Sequence, residues 1–336
     1  MPNDTPRPSF DLVISIINYR TAEMTLTCVQ SVLDDFALDA QGQHDRDLSA
    51  HVVVVDNDSG DGSADVIADW IASQPSGVPV TLVRSETNSG FSGGHNQGLT
   101  AFPAEFYLVL NSDAILRPGF CQSILAAAYA APEIGLFAPR LEYEDGTQQV
   151  SCFRIPTPAS EMIRGAATGP VTRLLKSYDV PLSMPPAEEQ IGWASFACIL
   201  LRGKMIRQIG LMDEGYFLYF EDTEYCLRAK RGGWGIRYVP EARAVHYRGG
   251  SAPVKSLAKE RKRLPAYYYA SRTRLFYQAH GRAGLIAANL LWHAGRGIAF
   301  IRKLVGKPVP SANASEARDI WINASKPLGS SHAPGR

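Results

Sequence analysis

Four short, continuously apolar runs rich in β-branched residues dominate the first third of the chain: Asp11–Ile17, His51–Val55, Pro79–Val83 and Phe106–Leu110. Helical patterns lie between them, over Thr21–Asp35, Ser63–Ser73 and a stretch ending near Phe102, and a further one covers Pro118–Ala131. A strand that is apolar at successive positions leaves neither face for water, so both faces of its sheet must be covered. Strands joined through helices return in the same direction. The expected class is therefore α/β, a mostly parallel sheet flanked by helices. With 336 residues, 45% of them apolar, the chain can bury a large core and still carry an appendage. In such sheets ligands bind beyond the carboxyl ends of the strands, so chemistry is expected just after each run.

Beyond Pro139 the pattern changes. Leu141–Phe153 reads as a hairpin about Asp145-Gly146. Arg154–Gln190 reads as a long loop with short helices, of the kind that often carries function. Ile191–Leu201 is strand-like, Glu221–Arg231 helical, and Gly235–Tyr247 reads as two short strands. Leu264–Val305 is helical in pattern, basic and aromatic, and Pro308–Arg336 reads as a polar tail. The expected organisation is a disordered N-terminus over 1–9, a catalytic domain over 10–251, a basic aromatic helical appendage over 252–307 and the tail over 308–336.

Composition excludes several classes. The formal net charge of +1 demands no nucleic-acid partner. The five cysteines are scattered, with no CxxC pair, which argues against a zinc site or a disulfide framework and for reduced thiols. Met1–Ser9 is polar and has no apolar core of a secretory signal, and no run of about 18 apolar residues suggests a transmembrane helix. A cytoplasmic location is expected.

The candidate site residues follow the strands. Asp56 and Asn57 follow the second run, where a carboxylate can accept a hydrogen bond from a ribose or a pyrimidine imide; Asp-Asn-Asp-Ser-Gly is equally good turn chemistry. Asn88-Ser-Gly-Phe-Ser-Gly-Gly-His-Asn-Gln-Gly98 follows the third, and its glycines would let backbone approach an anionic ligand. It is not GxGxxG, and the first run leads into Asn18-Tyr-Arg-Thr21 without glycine, which argues against a dinucleotide enzyme. Asn111-Ser112-Asp113 follows the fourth run and places a carboxylate suited to a hard divalent cation, or to capping. Glu221, Asp222 and Glu224 open a helix; they complement its dipole or supply a general base. A lone histidine such as His246 is more often structural than a ligand.

Taken together, these segments resemble glycosyltransferase family 2, with the A-type nucleotide-sugar-binding fold, and most closely its bacterial rhamnosyltransferase-like branch. The matching stretches include Ile14–Tyr19, Val54–Ser59, Asn88–Gly98, Leu110–Ala114, Ile209–Asp222 and Val239–His246. The resemblance implies an inverting, metal-dependent hexosyltransferase that works in cell-surface polysaccharide biosynthesis. Asn18, Asp56, Asn88, Gly90, Gly93, Asn96, Asn111, Ser112 and Asp113 would line the nucleotide-sugar site, with Asp56 on the base. Asp113 and His246 would hold Mg²⁺ or Mn²⁺, Asn111 standing where relatives have the first aspartate of an Asp-x-Asp pair. Asp222 would be the catalytic base beside Glu221, and Trp193 and Phe196 would face the acceptor. The first-choice donor is dTDP-rhamnose, then UDP-sugars; the acceptor is a glycan or polyprenyl-linked sugar. A non-catalytic nucleotide-sugar-binding protein on the same fold is the alternative. The basic aromatic segment fits an anionic membrane at the inner face of the cytoplasmic membrane, or simple packing on the core.

Overall fold

A computed structural model describes residues 8–38, 48–247 and 254–334. Most of the expected disordered N-terminus, and the expected domain boundary at 251, lie outside the described residues. The four apolar runs form β1 (Phe10–Asn18), β2 (Ala50–Asp56), β3 (Val80–Arg84) and β4 (Ala104–Asn111), all parallel. Helices α1 (Ala22–Leu38), α2 (Ser63–Ser73) and α3 (Gly90–Ala101) join them, and α4 (Phe120–Tyr129) follows β5 (Ala114–Leu116). Side-chain alternation divides the core. Leu12, Ile14, Ile16, Val52 and Val54 pack on Cys28, Val29 and Val32 of α1 and on Phe120 and Ile124 of α4. Val13, Val53, Val55 and Val109 pack on the opposite face. Burial on both faces is why apolar residues follow one another in these runs instead of alternating with polar ones. All five cysteines are buried free thiols.

The second half completes the sheet with β6 (Ile134–Glu142), β9 (Cys198–Arg202) and β10 (Gly235–His246). The sheet has eight strands in the order β3-β2-β1-β4-β9-β6-β10-β5. It is mixed rather than purely parallel: β9 runs antiparallel to both β4 and β6, and β5 antiparallel to β10. Helices α7 (Gly203–Ile209) and α8 (Glu221–Arg231) join α3 over the second face, where Met205, Tyr225 and Cys226 are buried.

Several expectations are corrected here. Ile191–Leu201 is two strands, β8 (Trp193–Ala194) and β9, because the chain turns at Ser195–Ala197. The Asp145-Gly146 turn exists, closed by Tyr143 N–H donating to Thr147 O at 2.8 Å, but it joins only a single bridge between Glu142 and Gln148. Cys152–Phe153 (β7) instead pairs with β8. Gly235–Tyr247 forms one strand, whose register against β6 shifts between Val239 and Arg243. Pro240 lies in that interval and has no N–H for the ladder.

The long loop holds α5 (Pro158–Ala166) and α6 (Gly169–Leu174), and α5 packs on α10 (Ala266–Leu304). Contact is close: a Cβ on Gly165 would lie 2.3 Å from Trp292 O, and one on Gly295 2.6 Å from Met162 O. Gly281, at φ 71°, breaks α10 into two segments. A buried ionic network ties the elements together. Arg272 donates to Glu161 at 2.7 Å, and Arg164 bridges Glu161 and Glu316. Burial raises the Glu161 carboxyl, but the two guanidiniums outweigh it and hold it down at about 2. Glu316 belongs to α11 (Glu316–Asp319). The segment read as a polar tail is thus docked here: Arg263 holds Asp319 at 2.6 Å, Asn289 donates to Ile320 O at 3.1 Å, and Ile320 is fully buried. By length and composition α10 is a candidate membrane span, where the sequence reading expected none; 33% of its apolar window is buried in the protein.

Candidate active site

The carboxyl ends of β1, β2 and β4 meet at one edge of a cavity of about 800 Å³. Its floor includes Ile17, His95 and Ala197. Asn88, Gly90, Asn111, Ser112 and Asp113 line it, as expected from their positions after the strands. Asn18 and Asp56 lie behind that wall in a buried network. Asn18 donates to Asp56 Oδ1 at 2.7 Å, and Ser59 Oγ donates to the same oxygen at 2.6 Å. Asn57, on the wall, clamps the glycine-rich segment: its amide donates to Asn88 Oδ1 at 3.1 Å and to Gly90 O at 2.9 Å.

The glycines have a structural reason that the sequence reading did not supply. At Gly90 (φ +71°) a Cβ would lie 2.0 Å from Phe217 O, and Phe91 N–H donates to that carbonyl at 2.8 Å. A Cβ on Gly93 would meet Ser89 Cβ at 2.4 Å. Asn96 donates to Met212 O at 3.0 Å and accepts from Met212 N–H at 3.0 Å. Gly93 and Asn96 therefore seat α3 and fix the 212–217 segment instead of lining the cavity. His95 accepts or donates at Nδ1 with Ser15 Oγ at 2.9 Å; burial lowers its pKa to about 3, so its ring is neutral.

Asp113 and His246 come together through strand register. β5 and β10 pair so that His246 lies opposite Ala114, directly after Asp113. His246 Nε2 and Asp113 Oδ1 are 3.4 Å apart, both side chains are buried, and both line the cavity. His246 Nδ1 is buried without a hydrogen-bond partner among the described residues. One carboxylate and one imidazole suit Mn²⁺ or Mg²⁺, which leaves most coordination positions to substrate phosphate and water. Among the described residues no group of three or more His, Cys, Asp or Glu side chains completes a protein-only cage.

Across the cavity, Glu221 and Asp222 begin α8. The turn before them places Tyr219 and Phe220 both at φ 71°, a left-handed conformation that bulky residues rarely adopt. Burial raises the Glu221 carboxyl well above the ordinary range, and the neighbouring Asp222 charge adds to this. Glu221 Oε2 is buried with no partner among the described residues. Burial also raises Asp222, to about 6, although Thr223 N–H at 2.7 Å and Thr223 Oγ1 at 3.2 Å donate to it. Glu224 leaves the cluster, held by Arg228 at 2.9 Å.

The remaining wall is aromatic. Trp193 stacks on Phe153 with ring centroids 4.2 Å apart, and Phe196 meets Tyr225 edge-on at 5.9 Å. Sequence reasoning named Trp193 and Phe196 but missed Phe153, which reaches them only through the β7–β8 pairing. It also missed Phe217 and Tyr219 beside the carboxylates, Tyr267 at the start of α10, Lys255 of α9 (Val254–Lys259) and His332 of the C-terminal segment.

This architecture is shared with solved structures. The mannosyltransferase PcManGT from Pyrobaculum calidifontis, in complex with GDP-Man and Mn²⁺, superposes with a TM-score of 0.54 at 15% identity, over 96% of this chain and 83% of that one. GalNAc-T7 with UDP, GalNAc and Mn²⁺ does so with a TM-score of 0.54 at 15% identity, over 92% and 60%. The fold is the A-type glycosyltransferase fold. Residues 12–158 match the model of glycosyl transferase family 2. Over that stretch the chain is similar to family 2 glycosyltransferases. An N-acetylglucosaminyl-diphospho-decaprenol L-rhamnosyltransferase of Mycobacterium tuberculosis is 31% identical over 167 residues, 47% of this chain and 53% of that protein. The match thus spans about half the length of that relative. The low-salt glycan biosynthesis hexosyltransferase Agl10 of Haloferax volcanii is 25% identical over 244 residues, 70% of this chain and 67% of that protein.

Proposed function

We propose that this protein transfers a sugar, with inversion, from a nucleotide-sugar donor to a hydroxyl of a glycan or polyprenyl-linked acceptor. The observation that carries the reading is a pair of carboxylates of raised pKa, Glu221 and Asp222, on the same cavity as the buried Asp113–His246 pair. The donor's nucleotide lies along the strand ends, with Asn88, Asn111 and Ser112 beside it and the Asn18–Asp56 network behind. The first donor to test is dTDP-rhamnose, by likeness to the rhamnosyltransferase of Mycobacterium tuberculosis, and UDP-sugars follow. A bound Mg²⁺ or Mn²⁺ would be held by Asp113 and His246 and would neutralise charge on the departing diphosphate.

Asp222 accepts the proton of the acceptor hydroxyl. That oxygen bonds to the anomeric carbon from the face opposite the diphosphate, and the carbon–oxygen bond to the diphosphate breaks, its electron pair leaving with the nucleotide. One displacement inverts the centre. Trp193, Phe153 and Phe196 offer flat apolar surface to the acceptor sugar and shield the reacting carbon from water. A polyprenyl-linked acceptor places the protein at the inner face of the cytoplasmic membrane. The test is calorimetry with a panel of nucleotide sugars, with and without Mn²⁺. Cation-dependent binding of one donor supports the reading. Binding without release of nucleoside diphosphate to any acceptor would favour a non-catalytic nucleotide-sugar-binding protein.

A further inference from the structure

The second segment of α10, after the Gly281 break, inverts the usual arrangement of a surface helix. Its inner side buries Leu285, Ala288, Asn289, Trp292 and Ala299. Its outer side is apolar as well. Ile286 is 44% exposed, Leu290 56%, Ile301 61% and Leu304 71%, with Phe300 at 62% beside them. At 3.6 residues per turn, Ala283, Ile286, Leu290, Ala294, Gly297, Ile301 and Leu304 all fall within about 60° of Leu290. No charged residue interrupts that stripe. Cations flank it: Arg282 on one side and Arg302 on the other, with Lys303 and Lys307 at its end, while Arg296 turns inward and donates to Gly165 O at 3.2 Å. No acidic residue occurs between Glu260 and Glu316.

An exposed apolar stripe of this length marks a surface that is covered in use. We infer that it lies in the interfacial layer of an anionic lipid bilayer, with the helix parallel to the surface and its bordering cations among the phosphate headgroups. Three observations select this occupant. The bordering charge is of one sign, complementary to anionic headgroups. A second copy across a two-fold axis would face the same stripe and set Arg302, Lys303 and Lys307 against their own counterparts. The inner side is already packed: Trp292 and Gly295 lie against α5, and Asn289 donates to Ile320 O at 3.1 Å, so the helix cannot insert across a bilayer without giving up those contacts. The stripe lies on the same helix whose first turn, Ala266 and Tyr267, lines the catalytic cavity. This inference deepens the reading of a polyprenyl-linked acceptor, and its test uses no sugar, so the two fail separately.

The full chain is mixed with vesicles of phosphatidylcholine alone, or with about one third phosphatidylglycerol, and sedimented. The expected result is sedimentation with the anionic vesicles, reduced at high salt, and little with the neutral ones. Leu290→Glu/Ile301→Glu/Leu304→Glu is expected to weaken vesicle binding at least about tenfold while the thermal midpoint stays within a few degrees, since all three side chains are exposed. Should that variant unfold, Arg302→Gln/Lys303→Gln/Lys307→Gln tests the cationic border and is expected to weaken binding to anionic vesicles alone. Wild-type protein that stays in solution with anionic vesicles, or charge variants that bind as wild type does, would overturn the inference. So would a wild-type dimer by light scattering that the glutamate variant splits, which would make a second copy the occupant.

Discussion

Asp222 is a weaker acid than a surface aspartate because burial disfavours its charged form, and the same burial raises the Glu221 carboxyl beside it. A base must be ionised to accept a proton. Transfer is therefore expected to fall as the pH drops through about 6, the pH at which Asp222 protonates, and a pH–rate profile with saturating donor checks this. Asp222→Asn is expected to keep donor affinity and lose roughly 10²-fold or more of transfer. The stability sign is opposite to that of a salt-bridged aspartate. A carboxylate with a raised folded-state pKa disfavours the fold once ionised, so at pH 8 the Asn variant is expected to melt at or above the wild-type temperature. A substantially lower midpoint would show that Asp222 is structural. His246→Ala removes one of the two groups proposed to hold a cation. It is expected to reduce the Mn²⁺-dependent part of donor affinity by roughly tenfold while leaving cation-independent binding unchanged, as read by calorimetry with and without chelator.

Gly90 shows how one helix start shapes the site. The α3 N-terminus passes so close to Phe217 that a methyl group has no room, and its φ is positive. Gly90→Ala is expected to destabilise by about 2 kcal/mol or more, measured by denaturant unfolding. It should also disturb Glu221 and Asp222, because the 217 segment leads into them. The four parallel strands and α8 were legible in the sequence because their burial is written in consecutive residues: both faces of β1 are apolar, and Glu221–Arg231 is bounded as read. β6 and β9 were not legible at their observed limits. Their positions depend on pairing with partners far away in sequence, and a turn at Ser195–Ala197 splits what reads as one apolar run. The candidate site divides the same way. Asp113 and the Glu221–Asp222 pair are named from residue type and position and Trp193 from the family resemblance, and all four line the cavity. The glycines were read as room for a ligand, but at Gly90 and Gly93 the protein itself fills that room. Phe153 carries no local signal, since only the β7–β8 pairing puts it on Trp193.

At the scale of the molecule, a buried ionic network joins the long loop, α10 and the C-terminal segment. Glu161 lies between Arg164 and Arg272, and Arg164 reaches Glu316. Glu161→Ala would strand Arg272, which is 1% exposed, and is expected to cost about 3 kcal/mol of stability. Because the Glu161 carboxyl is depressed, the stability it contributes is present above the ordinary carboxylate range and is lost as the pH falls toward about 2, so the variant should show a shallower acid transition than wild type. The same network anchors the segment that brings His332 to the cavity. The central claim is that this cavity carries out an inverting transfer with Asp222 as base. The most direct measurement is release of nucleoside diphosphate from dTDP-rhamnose and UDP-sugars by wild type and Asp222→Asn, with Mn²⁺ and a synthetic N-acetylglucosaminyl-diphospho-polyprenol as acceptor. The account predicts acceptor-dependent release by wild type from one donor, a product of inverted anomeric configuration, and near-complete loss in the variant at unchanged donor affinity. Wild-type-like release by Asp222→Asn, or a product of retained configuration, would contradict it.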